Sequence, residues 1–261
     1  MFLARRADAG ISGIFQGGAT PPGTPRAGGI GTGLLRRDTS QLRRFDHVIF
    51  DLDGTLADTR DDLASAVNHV RRTLGRAALP EATVVGYVGE GARRLIERAL
   101  ADAPAEIDAA LEQFRRYYSL HLLDHTRPYP DIPALLERAR ERGATLSVLT
   151  NKPEAMSRAV LQGLGLLRHF DALVGGDSLP IRKPDPAGVF HLARLAGIAT
   201  DRLLLVGDSP IDLRTARAAG IAFCGAEWGF DRRALLAEHP ERTVALPLDL
   251  LRVIDPDGAS G

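Results

Sequence analysis

Four short apolar runs, broken only by Ser147, punctuate this chain at residues 48–50, 146–149, 172–174 and 203–206. Each ends on a polar residue or glycine: Asp51, Thr150, Gly175-Gly176 and Gly207-Asp208. A strand with one wet face alternates apolar and polar side chains, so continuous runs belong to parallel strands covered on both faces. The covering layers are also written in the chain. Segments 131–142, 153–164, 186–196 and 210–219 carry helical spacing, with Pro153 and Pro186 opening two of them and Gly143 and Gly220 closing two. Strand and helix in alternation predict the α/β class, with a doubly wound parallel-sheet (Rossmann-like) core.

Between residues 59 and 129 the strand signal disappears. Segments 61–74, 91–100 and 105–123 read as amphipathic helices. They follow the first strand and precede the rest of the sheet, which predicts a small all-helical cap (59–129) inserted into a core made of 45–58 and 130–261. Residues 1–44 have another character: rich in Gly and Pro, with seven Arg against Asp8 and Asp38. They have neither the apolar centre of a secretory signal nor a periodic apolar face, and read as a disordered leader or upstream sequence added by a mis-called start.

Thirty-three basic residues balance 33 acidic ones at a pI near 7.1, which gives no reason to expect a nucleic-acid partner or an acidic membrane surface. No apolar run approaches the roughly 18 residues of a membrane helix. The single cysteine, Cys224, cannot close an internal disulfide, which suits a cytoplasmic protein; in the apolar segment 221–224 it reads as a small core residue. The expected partner is a small phosphorylated metabolite, and the expected assembly a monomer or homodimer.

Ligands of open parallel sheets gather at the carboxyl ends of the strands. Here those ends carry Asp51-Leu52-Asp53-Gly54-Thr55, Thr150-Asn151-Lys152, Lys183-Pro184, and Gly207-Asp208-Ser209 with Asp212 beyond. Phosphoryl transfer has work for each type. A carboxylate such as Asp51 can accept the phosphoryl group and divide one hard hydrolysis into two easier steps. Nucleophile and target are both anionic, so a hard divalent cation must screen them; Mg²⁺ is suited by carboxylates such as Asp51 and Asp208 together with phosphate oxygen and water. Asp53 can protonate the leaving oxygen and later deprotonate the attacking water. Gly54 allows a tight turn that would expose N–H donors beneath the phosphate, and Thr150 and Lys183 would hold the phosphoryl oxygens.

With Leu56 closing the first segment and Asp185-Pro186 extending the third, these segments resemble, in order, the four motifs of haloacid dehalogenase-like phosphatases over residues 46–250. The resemblance implies that the helical insert is a mobile cap. It implies that Asp51 is the nucleophile and Asp53 the acid/base, its main-chain carbonyl also on Mg²⁺. Asp208 would be a metal ligand, and Asp212 would orient metal-bound water or Lys183. Asn151 joins the catalytic set, with Gly54 and Ser209 in support. Asp53 argues against a haloacid dehalogenase, whose first motif differs there.

Within the superfamily the chain is most similar to phosphoglycolate phosphatases. The resemblance lies in Val88-Gly89-Glu90-Gly91-Ala92, Glu97-Arg98-Ala99-Leu100, Gly175-Gly176-Asp177-Ser178-Leu179-Pro180, Arg182-Lys183-Pro184-Asp185-Pro186 and Trp228-Gly229-Phe230. The last segment departs from the usual pattern, with Glu227 and Phe230 where a second Gly and a Tyr are customary. The implied reaction is hydrolysis of 2-phosphoglycolate to glycolate and phosphate through an aspartyl-phosphate, with pyrophosphate, a sugar phosphate or a phosphoglucomutase reaction as alternatives. For a carboxylate on the substrate, Gly89 with Arg93, then Arg94, are the candidate receivers in the cap.

Other readings of the same residues are weaker. An EF-hand loop starting at Asp51 needs glycine where Leu56 stands. A receiver domain is shorter, has no helical insert and carries its phosphorylated Asp on a later strand. An inactive phosphate-binding module would show a lost nucleophile or lysine, and every motif residue is present. His121 and His125, four apart on the expected helix, lack the glutamate of a metalloprotease motif and read as surface histidines. Asp61-Asp62 read as the acidic start of the first cap helix.

Overall fold

The structure, a computed structural model, describes residues 45–256; the segment read as a leader lies outside the described residues. Strand β1 (His47–Phe50) and the two-residue β2 (Ala57–Asp58) precede four helices, α1 (Arg60–Thr73), α2 (Glu81–Val85), α3 (Ala92–Ala99) and α4 (Ile107–Leu120). The chain returns through β3 (Arg127–Pro128) and then alternates: α5 (Ile132–Glu141), β4 (Thr145–Leu149), α6 (Glu154–Gly163), β5 (Ala172–Val174), α7 (Ala187–Ala196), β6 (Leu203–Gly207), α8 (Pro210–Ala219) and β7 (Ala222–Ala226). Helix α9 (Arg232–Ala237), β8 (Thr243–Val244) and α10 (Leu250–Ile254) complete it.

Six parallel strands form the sheet expected from the sequence, in the order β5-β4-β1-β6-β7-β8. Neighbours of β1 lie later in the chain on both sides, so its carboxyl end is the point where winding reverses and where such sheets bind ligands. Side chains of successive strand residues point to opposite faces, and β1 shows the result: Val48 and Phe50 join one apolar core while Ile49 joins the other. The first core packs α5 and α10 beneath the sheet and continues into α1, α3 and α4; the second packs α7, α8 and α9. Gly143 and Gly220 adopt positive φ (79° and 66°) just beyond their helices, the conformation glycine takes most readily.

Helices α1–α4 lie between β2 and β3, which pair antiparallel and tie the two crossings of the chain together. One buried carboxylate reinforces that stem. Asp62 accepts hydrogen bonds from the His125 amide, the Thr126 amide (2.8 Å) and the Thr126 hydroxyl (2.7 Å), and contacts His125 Nδ1 at 3.1 Å. Burial alone would raise its carboxyl, but these hydrogen bonds hold it below the usual range. The acidic helix start read from the sequence thus has a second duty. His121 and His125 are surface histidines as read, but α4 ends at Leu120, so His121 caps it and His125 lies beyond the helix on Asp62. Asp62→Ala would strand the 125 and 126 amides, and should lower unfolding free energy by about 3 kcal/mol in a denaturant titration.

His47 opens the central strand, wholly buried, with Nε2 2.9 Å from Ser147 Oγ. Burial pushes its pKa down to about 4 from the ordinary 6.5, against an opposing pull from Asp171. The folded state therefore keeps His47 neutral while the unfolded chain takes up a proton. Stability is full above pH 6.5 and declines as pH falls towards about 4. Relative to His47→Gln, which retains a polar partner for Ser147, the wild type should lose about 2 kcal/mol between pH 6.5 and about 4.5. Paired denaturant titrations across that range check this.

Candidate active site

At the end of β1 the chain turns sharply. The Asp51 amide is held by the Val206 carbonyl (2.9 Å), and the Leu52 carbonyl accepts from the amides of Thr55, Leu56 and Ala57. Gly54 N–H donates to the Ala57 carbonyl at 2.9 Å. The amides of 54–57 are thus satisfied inside the turn, so Gly54 permits the turn without offering its own N–H to phosphate. Glycine is required there for another reason: φ is 86°, and a Cβ would sit 2.2 Å from Asp208 Oδ2.

Asp208, at the end of β6, is held from both sides. Its Oδ1 accepts from the Thr55 hydroxyl at 2.9 Å and its Oδ2 from the Phe230 amide at 2.7 Å. A Cβ on Gly229 would lie 2.1 Å from Asp208 Cβ, and Trp228 Nε1 donates to the Thr55 carbonyl at 3.0 Å. The Trp228-Gly229-Phe230 segment is therefore a brace for Asp208 and for the turn after β1, a role with no local signal in the sequence.

Lys183 reaches in from the opposite wall. Its Nζ lies 2.6 Å from Asp212 Oδ1 and 2.9 Å from Asp51 Oδ1. Asp212 itself is fixed by a capping box at the start of α8, where the Ser209 hydroxyl donates to Asp212 Oδ2 at 2.6 Å. Burial opposes the Lys183 charge, yet Asp212 and Asp51 outweigh it and hold the ammonium pKa above its ordinary value. Burial raises Asp51 to about 6 against the pull of Lys183, and it raises Asp208 well above the carboxylate range, aided by Asp212 and Asp51. Three buried carboxylates thus stand beside one ammonium, which touches only Asp51 and Asp212.

That imbalance is the test of fit for a metal. Asp51, Asp208 and Asp212 each offer a carboxylate oxygen within 4.8 Å of the others. Asp212 spends one oxygen on the Lys183 ammonium and the other on Ser209, whereas the donors on Asp208 are the neutral Thr55 hydroxyl and Phe230 amide, so Asp51 and Asp208 are the better ligands. The donor set is all oxygen, which suits a hard cation such as Mg²⁺.

On the other side of Asp51, Asp53 Oδ1 accepts from the Thr59 hydroxyl (2.8 Å) and from Lys152 Nζ (2.9 Å). Lys152 also donates to the Tyr118 hydroxyl of α4 at 2.6 Å, with its Nζ 4.5 Å from the ring centroid. Burial works against the Lys152 charge, but Asp53 and Tyr118 prevail and raise its pKa. Asn151 spends Nδ2 on the Gly89 carbonyl (2.8 Å) and the Lys183 carbonyl (3.0 Å), tying the turn between α2 and α3 to the core. Thr150 is buried, and its hydroxyl accepts from the Lys152 amide at 3.3 Å.

A cavity of about 50 Å³ opens over Asp51 and Asp53, bordered by Thr150, Asn151, Lys152, Gly89 and the apolar face of the insert. Neither Arg93 nor Arg94 borders it. Helix α3 turns Leu95, Ile96 and Ala99 inward, so at 100° per residue the two arginines face out. Arg93 pairs with Asp108 (2.7 Å) and Arg94 with Glu97 (2.8 Å), both at the surface. The cation that does border the cavity, Lys152, sat in a motif read from the sequence but was given no role. Tyr118 was hidden as one more large residue in the buried stripe Ala110-Leu111-Phe114-Tyr118 of α4.

A family profile described as haloacid dehalogenase-like hydrolase matches residues 48–226. Among curated proteins, the chain is 39% identical over 211 residues to a phosphoglycolate phosphatase of Neisseria gonorrhoeae, covering 77% of this chain and 89% of that one. It is 35% identical over 208 residues to a phosphoglycolate phosphatase of Aquifex aeolicus, covering 80% and 96%. A crystal structure described as a predicted phosphoglycolate phosphatase from Haemophilus somnus superposes with a TM-score of 0.77 at 30% identity, covering 82% of this chain and 99% of that one.

Proposed function

The chain belongs to the haloacid dehalogenase-like hydrolase family, and from that premise we propose that it is a Mg²⁺-dependent phosphatase acting on 2-phosphoglycolate. The observation that carries the reading is the buried cluster at the switch point of the sheet, where Lys183 bridges Asp51 and Asp212 beside Asp208. The relatives named for phosphoglycolate favour that substrate. Among the described residues no helix is long and apolar enough to cross a membrane.

In the proposed reaction an Asp51 oxygen attacks phosphorus and the bond from phosphorus to the ester oxygen breaks. Asp53 gives its proton to that oxygen, releasing glycolate and leaving an acyl phosphate on Asp51. Water then attacks phosphorus, Asp53 takes its proton, and phosphate departs as the Asp51 carboxylate is restored. Lys183 neutralises Asp51 before attack and holds phosphoryl oxygens during it, with Asp212 keeping the ammonium in place. Thr150 lies at the same rim for the third oxygen. Magnesium, bound by Asp51 and Asp208 with the Asp53 carbonyl, would supply charge neutralisation between nucleophile and phosphate.

A panel of 2-phosphoglycolate, pyrophosphate, β-glucose 1-phosphate and p-nitrophenyl phosphate tests the substrate. The highest kcat/KM should belong to 2-phosphoglycolate. A competitor better by more than about tenfold, roughly 1.4 kcal/mol of transition-state binding, contradicts the substrate while leaving the phosphatase reading in place.

A further inference from the structure

We propose that Lys152 and Tyr118 form the subsite that receives the substrate's carboxylate; this deepens the phosphoglycolate reading above and rests on it. Among the described residues that border the cavity, Lys152 is the one cation. The arginines beside the Gly89–Gly91 turn are turned away and paired at the surface.

The donors are already aimed. Lys152 has three N–H groups; its Nζ lies 2.9 and 3.3 Å from the two oxygens of Asp53, which can share one forked N–H, and a second N–H goes to the Tyr118 hydroxyl. Tyr118 accepts from Lys152, so its own O–H must point elsewhere, and it meets no acceptor among the described residues. The ring is buried to 1% exposure, and that burial, opposed by Lys152, pushes its pKa up to about 12, so the proton stays on. One ammonium N–H and one hydroxyl thus remain for an anionic oxygen in a place that water scarcely reaches. A buried donor left unpaired is costly.

Reach selects the ligand. In a phosphorylated 2-hydroxy acid of two carbons, the carboxyl carbon lies roughly 2.4 Å from the ester oxygen, from bond lengths of about 1.4–1.5 Å and near-tetrahedral angles. Asp53 must touch that ester oxygen to protonate it, and Lys152 Nζ stands 2.9 Å from Asp53. A carboxylate on the adjacent carbon therefore falls beside the ammonium, whereas an anion several bonds further along would overshoot it. Lys152 follows β4 in the core and Tyr118 lies on α4 of the insert. The two meet only with the insert seated over the sheet, so binding energy from the carboxylate would favour the arrangement that aligns Asp51 and Asp53.

A purely structural Lys152, serving only to neutralise Asp53, would lower turnover of every ester alike. The discriminating quantity is the ratio of kcat/KM for 2-phosphoglycolate to that for ethyl phosphate, which has a methyl group where the carboxylate would be. The ratio should fall at least about tenfold in Lys152→Met and about threefold or more in Tyr118→Phe, and stay within about twofold of wild type in Arg93→Ala and Arg94→Ala. If Lys152→Met is inactive on both esters, Tyr118→Phe, which keeps the contact between Lys152 and Asp53, decides alone. An unmoved ratio in Tyr118→Phe and in any active Lys152→Met, or a ratio that collapses in Arg93→Ala instead, overturns the subsite. A wild-type ratio below one sinks the phosphoglycolate reading and the subsite together, whereas a ratio above one that neither variant moves sinks the subsite alone.

Discussion

Asp51→Asn is expected to fold like the wild type and to lose about 10⁴-fold or more in kcat, equivalent to roughly 5.5 kcal/mol of transition-state stabilisation. The substitution is isosteric, and the amide oxygen can still accept from Lys183. What it removes is the nucleophile: an amide has no anionic oxygen with which to form an acyl phosphate. The fold should be unharmed, because burial already disfavours the Asp51 charge, as its pKa of about 6 reports. Phosphate release measured beside a thermal melt separates the two effects. A large drop in melting temperature, or near-normal turnover, would contradict the role given to this residue.

Removal of divalent cations should abolish turnover, with Mg²⁺ restoring it. Asp208 and Asp51 are buried within ligand distance of each other beside Lys183, which touches only Asp51 and Asp212, so a phosphate brought into the cavity adds negative charge to a site already in excess. Calcium should bind in competition without supporting turnover, since it prefers more ligands and looser geometry. Asp208→Asn retains the shape but weakens the charge, and should raise the Mg²⁺ concentration for half-maximal activity by at least about tenfold. Titrating Mg²⁺ into chelator-treated enzyme, read by turnover and by melting temperature, checks both expectations. Full activity in excess chelator would overturn them.

The residues that the sequence brought to one rim were those at the ends of buried strands. There an apolar run of three to five residues stops abruptly at Asp51, Thr150 or Asp208, and the side-chain period of a strand leaves little choice of face. Shorter pieces carried no such signal. Strands β2, β3 and β8 have two residues each, too few for any period, and exist because neighbouring backbone is already in place. Helix α2 spans only five residues, less than two turns. Contacts across great sequence distance were equally hidden: the Phe230 amide on Asp208, the Trp228 indole on the Thr55 carbonyl, and the Thr126 hydroxyl on Asp62. Arg93 and Arg94 show the opposite error. Their closeness to the Gly89–Gly91 turn suggested a substrate contact, but the apolar positions Leu95, Ile96 and Ala99 determine which side of α3 faces inward, and that side excludes both arginines.

The role of Asp51 is tested most directly by trapping the phosphorylated enzyme. Enzyme mixed with 2-phosphoglycolate and Mg²⁺, quenched in acid within a turnover and reduced with borohydride, should yield a peptide in which Asp51 has become homoserine, while Asp53 and Asp208 are unchanged. The same treatment without substrate, or of Asp51→Asn, should yield no homoserine. Turnover accompanied by modification at another carboxylate, or by none during a demonstrated burst of glycolate, would contradict attack by Asp51.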